Sequence, residues 1–291
     1  MPHTSPSSAT ASPAASSPDQ PTYGELCAIH QPNLFPRLTT LGKLFAADTR
    51  IDLDDVQFTR RDYQHRTRLA ALEDPHQTRW LSIPTHLPHG RQTAIRDALI
   101  ADPTKARRRT EAVIRQEYRA SPHWPALQQA LEPVWAAFDT GRTAAVAETS
   151  TRILLDILGW TGRVLTASDL PARSDRSERL AHLTTAAGAT TYLCGSGGMT
   201  YLDPIPFTAR NIAVAPFLPP TTGIWASARH VTSLWALAHL GPAGLTARLR
   251  ALKAAFEAGS RNARGQILEE TWASEPPRSL LAAVKQDTQV A

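Results

Sequence analysis

The pattern that most constrains this chain is an alternation of short apolar runs with longer segments of helical periodicity. An apolar run over 26–30 stops before Pro32, and the next apolar positions recur at helical spacing, namely Leu38, Leu41, Leu44 and Phe45. Further short runs at 50–56, 80–84, 164–166 and 192–194 predict strands. This βαβ rhythm predicts an α/β fold, with a mostly parallel sheet flanked by helices.

Two regions are predicted to be almost wholly helical. A helical insertion around 103–158 contains amphipathic segments at 103–119, 124–138 and 143–158, and Pro122 and Pro125 separate the first two. Another helix is expected from a Ser174 cap to Ala187, with Gly188 closing it. A helical C-terminal region is expected beyond Val231 and includes 245–256.

Composition predicts the domain organisation. Residues 1–22 are rich in Ser, Pro and Ala and carry too few large apolar side chains to form a core, so a disordered tail is expected. Residues 23–291 are predicted to form a single α/β domain, because 42% of the 291 residues are hydrophobic. The chain has neither a run of about 18 uncharged apolar residues nor a signal-peptide pattern, so we expect no membrane span and a cytoplasmic location.

Charge limits the partners that we expect. The net charge is +5, and a first basic cluster consists of Arg60, Arg61, Arg66 and Arg68. This cluster favours acidic or phosphorylated partners. A second cluster is interpreted as a solvated helix face and consists of Lys105, Arg107, Arg108 and Arg109. Nucleic acid is not an expected partner, because no recognised binding motif accompanies the charge.

Polar side chains gather where the first predicted strand ends. His30, Gln31 and Asn33 lie around Pro32 at a strand-to-helix turn. In open α/β sheets ligands bind at the carboxyl ends of the strands, and an imidazole placed there can move protons near neutral pH. The alternative is that His30 only satisfies nearby backbone groups.

A pair of adjacent carboxylates, Asp54 and Asp55, follows the second predicted strand at the same edge. Such a pair can orient an imidazole, bind an ammonium group or hold a divalent metal. Adjacent strand residues face opposite ways, so only one of the two is expected to share a pocket with His30. The other is expected to be a cap or a partner for Arg60 or Arg61, and a purely structural pair is the alternative.

The loop that follows contains Arg61, Tyr63 and Arg66. Its guanidinium groups can grip a phosphate or a carboxylate at two points. A surface ion-pair network with neighbouring acids is the alternative for this loop.

A glycine-rich turn, Gly195, Ser196, Gly197 and Gly198, follows the strand that ends at Cys194. Glycines accept positive φ values, so the backbone N–H groups here are expected to converge on a phosphate or an oxyanion. The turn matches neither the dinucleotide fingerprint nor the phosphate loop with its lysine. Cys194 is either a thiolate nucleophile with a histidine as base or a small core thiol. Together with Cys27 it is expected to stay reduced, because two cysteines make no disulfide framework.

In their order along the chain these motifs resemble the WbqC-like protein family. The matching segments are Ile29-His30-Gln31-Pro32-Asn33 with Pro36 and Lys43, Ala47-Asp48, Leu53-Asp54-Asp55-Val56-Gln57-Phe58, 61–66, Trp80-Leu81, Leu158-Gly159, 174–180, and 191–203. The family is linked to bacterial surface-polysaccharide and natural-product pathways, and its members are thought to be transferases. The resemblance implies one shared site lined by His30, Gln31, Asn33, Asp54, Asp55, Gln57, Arg61 and Arg66. Tyr63 and Tyr201 are further substrate-binding candidates.

The chain departs from the family's pattern in places. Leu34, Phe35 and Arg37 replace the residues of an Asn-Tyr-Leu-Pro-Trp run, His65 replaces an asparagine, and Cys194 replaces a serine. Near the C-terminus, Thr232, Trp235 and His239 precede Gly241-Pro242, where the family has a segment of Ser, Asp and Asn. No function is therefore carried over to 221–242.

The leading hypothesis is acyl or aminoacyl transfer from a carrier-protein or coenzyme thioester to an amine on a sugar or a specialised metabolite. His30 would act as general base, Asp54 or Asp55 would orient the imidazole or the ammonium, and the amides of 195–198 would stabilise the oxyanion. This reaction requires no cofactor, and its expected partners are a small-molecule substrate and an acyl-carrier or peptidyl-carrier protein.

Three alternatives remain open on the sequence alone. In a covalent variant, Cys194 accepts the acyl group. In a metal-dependent glycosyltransferase, the acidic pair holds a divalent metal bound to a nucleotide sugar. In a non-catalytic scaffold, the arginines dock an acidic carrier domain.

Overall fold

The computed structural model of the chain describes residues 25–171 and 176–263. The tail predicted at 1–22 and the Ser174 cap lie outside these ranges. The strands are β1 (Leu26–His30), β2 (Thr49–Asp52), β3 (Arg66–Ala70), β4 (Thr78–Ser82), β5 (Thr85–His86), β6 (Leu99–Ile100), β7 (Arg163–Thr166), β8 (Thr191–Gly195) and β9 (Ala213–Phe217). The helices are α1 (Leu38–Ala46), α2 (Pro103–Tyr118), α3 (Trp124–Ala130), α4 (Glu132–Ala137), α5 (Thr143–Ile157), α6 (Arg176–Ala186), α7 (Ser196–Met199), α8 (Ile205–Thr208) and α9 (Ser233–Ala263).

Five strands form the main sheet, in the order β7-β2-β1-β8-β9. Every pairing in this sheet is parallel, and the register of β1 and β2 places His30 opposite Asp52. The predicted α/β class with a mostly parallel sheet is thus confirmed. Because the strands are parallel, the segments that follow His30, Asp52 and Gly195 all leave the sheet at the same edge.

Helices cover both faces of this sheet. Alternate residues of β1 point to opposite faces, so Ala28 packs with α1, α5 and α9, whereas Cys27 packs with α6 and α8. The helix that follows β1 and the helices that follow β8 therefore lie on opposite faces. From β1 the strand order proceeds to β2 and β7 on one side, and from β8 it proceeds to β9 on the other, so the carboxyl ends of β1 and β8 form a topological switch point.

The helical insertion forms nearly as expected, although the segment predicted at 124–138 is interrupted at Leu131. The interruption precedes Pro133, which lacks a backbone N–H and opens α4 rather than continuing α3. The strand predicted at 80–84 is β4, but it pairs antiparallel with β3 in a hairpin outside the main sheet. That hairpin extends the loop that contains Arg61 and Tyr63.

The C-terminal helix α9 is kinked at Gly241, where φ is +69°, and Pro242 follows inside the helix. A Cβ at position 241 would lie 2.6 Å from the His123 ring, so only glycine fits this close approach. Among the helices in the described ranges, none combines the length and apolar character needed to cross a membrane.

Candidate functional site

The candidate site is the crevice between the carboxyl ends of β1 and β8. The loop 31–37 leaves β1 on one side of the crevice, and the short helix α7 leaves β8 on the other. Lys43 of α1 lies between them, since its Cδ is 3.9 Å from where a Cβ on Gly195 would be. Open α/β sheets bind their ligands at this kind of position.

His30 contacts two polar side chains through its two ring nitrogens. Nε2 lies 3.1 Å from Asn33 Oδ1, while the Asn33 amide nitrogen donates to the Pro32 carbonyl oxygen. Because Asn33 Oδ1 only accepts, Nε2 carries the ring hydrogen, and Nδ1 is left as an acceptor facing Lys43 Nζ at 3.5 Å. His30 is partly exposed, so the crevice reaches this pair from solvent.

Lys43 is a buried lysine, with only 6% of its surface exposed. Its Nζ donates to the Ile29 carbonyl oxygen at 3.1 Å, and burial lowers its pKa to about 8. Burial, followed by the charge of Lys43, lowers the pKa of His30 well below its usual value. Near neutral pH the proton therefore resides on Lys43, and the His30 ring is uncharged.

The carboxylate directly opposite His30 is Asp52, which is bound to its own arginine. Arg50 Nε donates to Asp52 Oδ1 at 2.7 Å and Arg50 Nη2 to Oδ2 at 2.5 Å. Arg50 is 1% exposed, and its Nη1 is a buried atom without a partner among the described residues. This pair places a buried charge network directly beside the histidine strand.

The two predicted carboxylates turn to separate protein partners. Asp54, 4% exposed, accepts from the Ser168 backbone N–H at 3.0 Å and from the Ser168 hydroxyl at 2.8 Å. Asp55 pairs with Arg179 of α6, so the expectation that Arg60 or Arg61 would be the partner is wrong. Within the described ranges, neither aspartate is hydrogen-bonded to His30. Among the described residues, no group of three or more His, Cys, Asp and Glu side chains is arranged to hold a metal ion.

Glu148 of α5 adds a fourth acid to this edge. Burial, and then the negative charge of Asp52, raises its pKa to about 7, with a smaller contribution from Asp54. The positive charge of Arg50 acts in the opposite direction. The surroundings of His30 thus combine two buried cations, Lys43 and Arg50, with a carboxylate cluster that consists of Asp52, Asp54 and Glu148.

The loop 31–37 is held rigidly by distant segments. Phe35 has a left-handed φ of +44°, and its N–H donates to the Ser150 hydroxyl at 2.8 Å. Its carbonyl oxygen accepts from the hydroxyls of Thr67 at 3.0 Å and Thr232 at 2.8 Å. A strained backbone that is fixed from three sides is typical of a functional site. The divergent segment at 221–242 therefore buttresses the His30 loop.

The glycine turn differs from the nest that we expected. Residues Ser196–Met199 form the one-turn helix α7, and Gly195, Gly197 and Gly198 all lack the positive φ that a nest requires. Because α7 begins directly after β8, its first N–H groups, which have no partner within the helix, lie at the carboxyl end of that strand. Gly198 is needed for another reason, since a Cβ there would lie 2.6 Å from Cys194 Sγ.

Cys194 is fully buried beneath this turn. Burial raises the pKa of its thiol, so the reactive thiolate is disfavoured. These surroundings favour the core-thiol interpretation over the nucleophile interpretation. Cys27 is likewise a buried free thiol.

The remaining predicted residues occupy two different places. Gln31 accepts from the buried Gln64 side chain at 2.7 Å at the margin of the crevice. Gln57 donates to the Arg91 carbonyl oxygen and so holds a neighbouring turn. Arg61 and Tyr63 lie in the loop before β3, and Arg66 is the first residue of that strand. Tyr201 is 57% exposed, and the Arg176 guanidinium stacks on its ring at 4.4 Å.

Sequence reasoning did not assign a role to Lys43, Arg50, Asp52 or Glu148. Lys43 is the sole charged residue in the nine residues of α1, which is a usable signal for a buried charge. Arg50 and Asp52 share one face of a strand that is paired on both sides, where apolar residues are the norm. Local pattern does not distinguish Glu148 from an ordinary surface glutamate.

Fold and site together define a doubly wound α/β protein with a polar crevice at its topological switch point. The model of the WbqC-like protein family matches residues 31–221, which is more than half of the chain. The chain belongs to the WbqC-like protein family.

One relative is Uncharacterized protein Rv1507c of Mycobacterium tuberculosis (strain ATCC 25618 / H37Rv). It is 25% identical over 190 residues, which cover 65% of this chain and 80% of the relative. No solved structure matches the chain.

Proposed function

We propose that this chain is a transferase that moves an acyl or aminoacyl group from a thioester to an amine. The observation that carries the proposal is the contact between Lys43 and the partly exposed His30 at the switch point. Burying a lysine destabilises a fold, and groups with strongly shifted pKa values cluster at functional sites. A lysine whose pKa is lowered to about 8 can, in its uncharged form, accept the proton of an attacking amine.

The proposed reaction is a direct displacement at the thioester carbonyl carbon. The neutral amine forms the new C–N bond, the C–S bond breaks, and the amine proton passes to the uncharged form of Lys43, which returns it to the departing thiolate. In this proposal the imidazole alone is not the base, because its pKa is too low and both ring nitrogens are engaged. The N–H groups at the start of α7 would stabilise the oxyanion.

The charges around the crevice support an amine acceptor. Asp54 adds an acidic group beside the balanced pair of Arg50 and Asp52, and Glu148, whose pKa is raised to about 7, is charged in part near neutral pH. A protonated amine drawn to these carboxylates would release its proton to solvent before it attacks. The metal-dependent glycosyltransferase has less support, since Asp54 and Asp55 are held by Ser168 and Arg179.

The test is amine-dependent release of free thiol from a set of acyl- and aminoacyl-pantetheine thioesters, with amino sugars as acceptors and intact mass analysis of the products. We expect release in the wild type and loss of release in His30→Ala and Lys43→Met, with unchanged circular dichroism. Absence of amine-dependent release with every donor, together with stabilisation by a nucleoside-diphosphate sugar, would favour the glycosyltransferase instead.

A further inference from the structure

A second feature, beside the crevice, is a surface of arginines and aromatic rings on the β3–β4 hairpin, the loop before it and the end of the loop 31–37. We call it the arginine surface, and it consists of Arg37, Arg60, Arg61, Arg66 and Arg68 with Tyr63 and Trp80. The Arg37 guanidinium lies 4.3 Å from the centre of the Tyr63 ring, which packs at 5.7 Å against the Trp80 ring. Arg66 and Arg68 stack over Trp80 at 4.3 Å and 4.8 Å.

The positive charge of the arginine surface is not neutralised by neighbouring carboxylates of the described residues. Within the described ranges, none of its five arginines forms an ion pair with a carboxylate, so the alternative interpretation as a surface ion-pair network is not supported there. The nearby Asp62 accepts from the Tyr63 backbone N–H. Arg37, Arg66 and Arg68 are stacked on rings, so they lose little entropy on binding and are preorganised to meet carboxylates. Arg60 and Arg61 add exposed positive charge beside them.

The arginine surface adjoins the crevice. The Leu34 N–H donates to the Tyr63 carbonyl oxygen at 2.9 Å, and Gln64 is bonded to Gln31 at 2.7 Å. A partner bound on this surface therefore sits next to the loop that carries His30. A flexible arm that extends from such a partner would enter at the mouth of the crevice.

The stacking favours an acidic protein over a single-stranded nucleic acid. Trp80 is 42% exposed, but two arginines of the chain itself already stack on its ring, which leaves less of it for a nucleobase. Arginine, tyrosine and tryptophan are also the residues that dominate binding energy at protein interfaces. The chemistry thus fits a protein face that is rich in aspartate and glutamate.

We propose that the arginine surface docks an acidic carrier protein and orients its thioester arm toward His30. This inference rests on the proposed acyl transfer for the identity of the partner. The surface would guide the encounter by charge and release the carrier after transfer, as expected for a salt-sensitive, transient complex.

The test compares two charge-matched variants, Arg60→Glu/Arg68→Glu on the arginine surface and Arg108→Glu/Arg109→Glu on α2. The α2 arginines are exposed and lie outside the surface. The probes are an acidic acyl carrier protein that carries an acyl-pantetheine arm, and the same acyl-pantetheine free in solution. We expect the surface variant to lose about tenfold or more in kcat/KM with the carrier and little with free pantetheine. The α2 variant should keep both activities.

A direct binding measurement separates the docking proposal from the proposed reaction. Fluorescence anisotropy of labelled carrier protein should report binding to the wild type, and this binding should weaken as the salt concentration rises from 50 to 500 mM. The surface variant should bind the carrier more weakly than the wild type at low salt. If the carrier protein binds but no thiol is released, the docking proposal stands and the proposed acyl transfer is refuted. Equal effects of both variants, no carrier binding, or tighter binding of a 20-nucleotide single strand or of anionic vesicles would overturn the docking proposal.

Discussion

Replacement of Lys43 by methionine should stabilise the protein at pH 7 while it removes activity. The pKa of Lys43 falls from 10.5 to about 8 on folding, and each unit of pKa is worth about 1.4 kcal/mol. The buried charge therefore lowers the free energy of unfolding by about 3 kcal/mol at pH 7. Methionine fills a similar volume but loses the hydrogen bond to Ile29, worth about 1 kcal/mol, which leaves a net gain of about 2 kcal/mol.

The stabilisation expected for Lys43→Met should decrease as the pH rises. The unfolded chain holds the Lys43 proton up to its higher pKa, so the destabilisation is fully present below about pH 8 and is relieved as the pH rises toward 10.5. Urea unfolding followed by tryptophan fluorescence should show the gain at pH 7 and its decline at pH 10. Lys253→Met is the matched control, because Lys253 forms a more exposed ion pair with Asp48. A Lys43→Met protein that is less stable than the wild type at pH 7 would refute the reasoning.

Three further predictions address the same site. Amine-dependent thiol release should rise with pH through about 8 as Lys43 loses its proton, and a profile without a change near that pH would remove Lys43 from the proton path. Asp52→Asn should lower the free energy of unfolding by about 3 to 5 kcal/mol in urea, because it leaves the buried Arg50 charge unpaired; a loss below about 1 kcal/mol would contradict this account. Gly198→Ala should destabilise the protein by about 1 to 3 kcal/mol, because the new Cβ clashes with Cys194 Sγ, and a second substitution, Cys194→Ala, should relieve that loss. If the free-energy changes of the two substitutions simply add, the contact is not the cause.

Much of the fold was predictable because periodicity reports burial directly. The strand that ends at His30 and the helices of the insertion follow from apolar spacing alone. The hairpin β3–β4 was only half predicted, because a short apolar run does not reveal whether its partner strand is parallel or antiparallel. Strand β9, Ala213–Phe217, was not predicted, and it contains Pro216, which normally argues against a strand inside a sheet. Its position at the edge of the sheet explains why proline is tolerated.

The site was predictable in location but not in its contacts. His30 and the segment after Asp52 do reach the same edge, as strand direction requires. Which carboxylate serves which partner depends on side chains from segments far apart in the chain, such as Ser168 with Asp54 and Arg179 with Asp55. The pKa of Lys43 depends on burial, which sequence spacing indicates only weakly.

The unequal anchoring of the two sides of the crevice gives a practical guide to redesign. Replacement of Thr67, Ser150 or Thr232 by a residue without a hydroxyl removes a contact that fixes Phe35 and would loosen the loop that follows His30. In the segment that follows β8 and α7, the side chains of Tyr201 and Ile205 are exposed to solvent. Laboratory evolution toward a new acceptor should therefore diversify 199–205 first and leave the histidine side untouched.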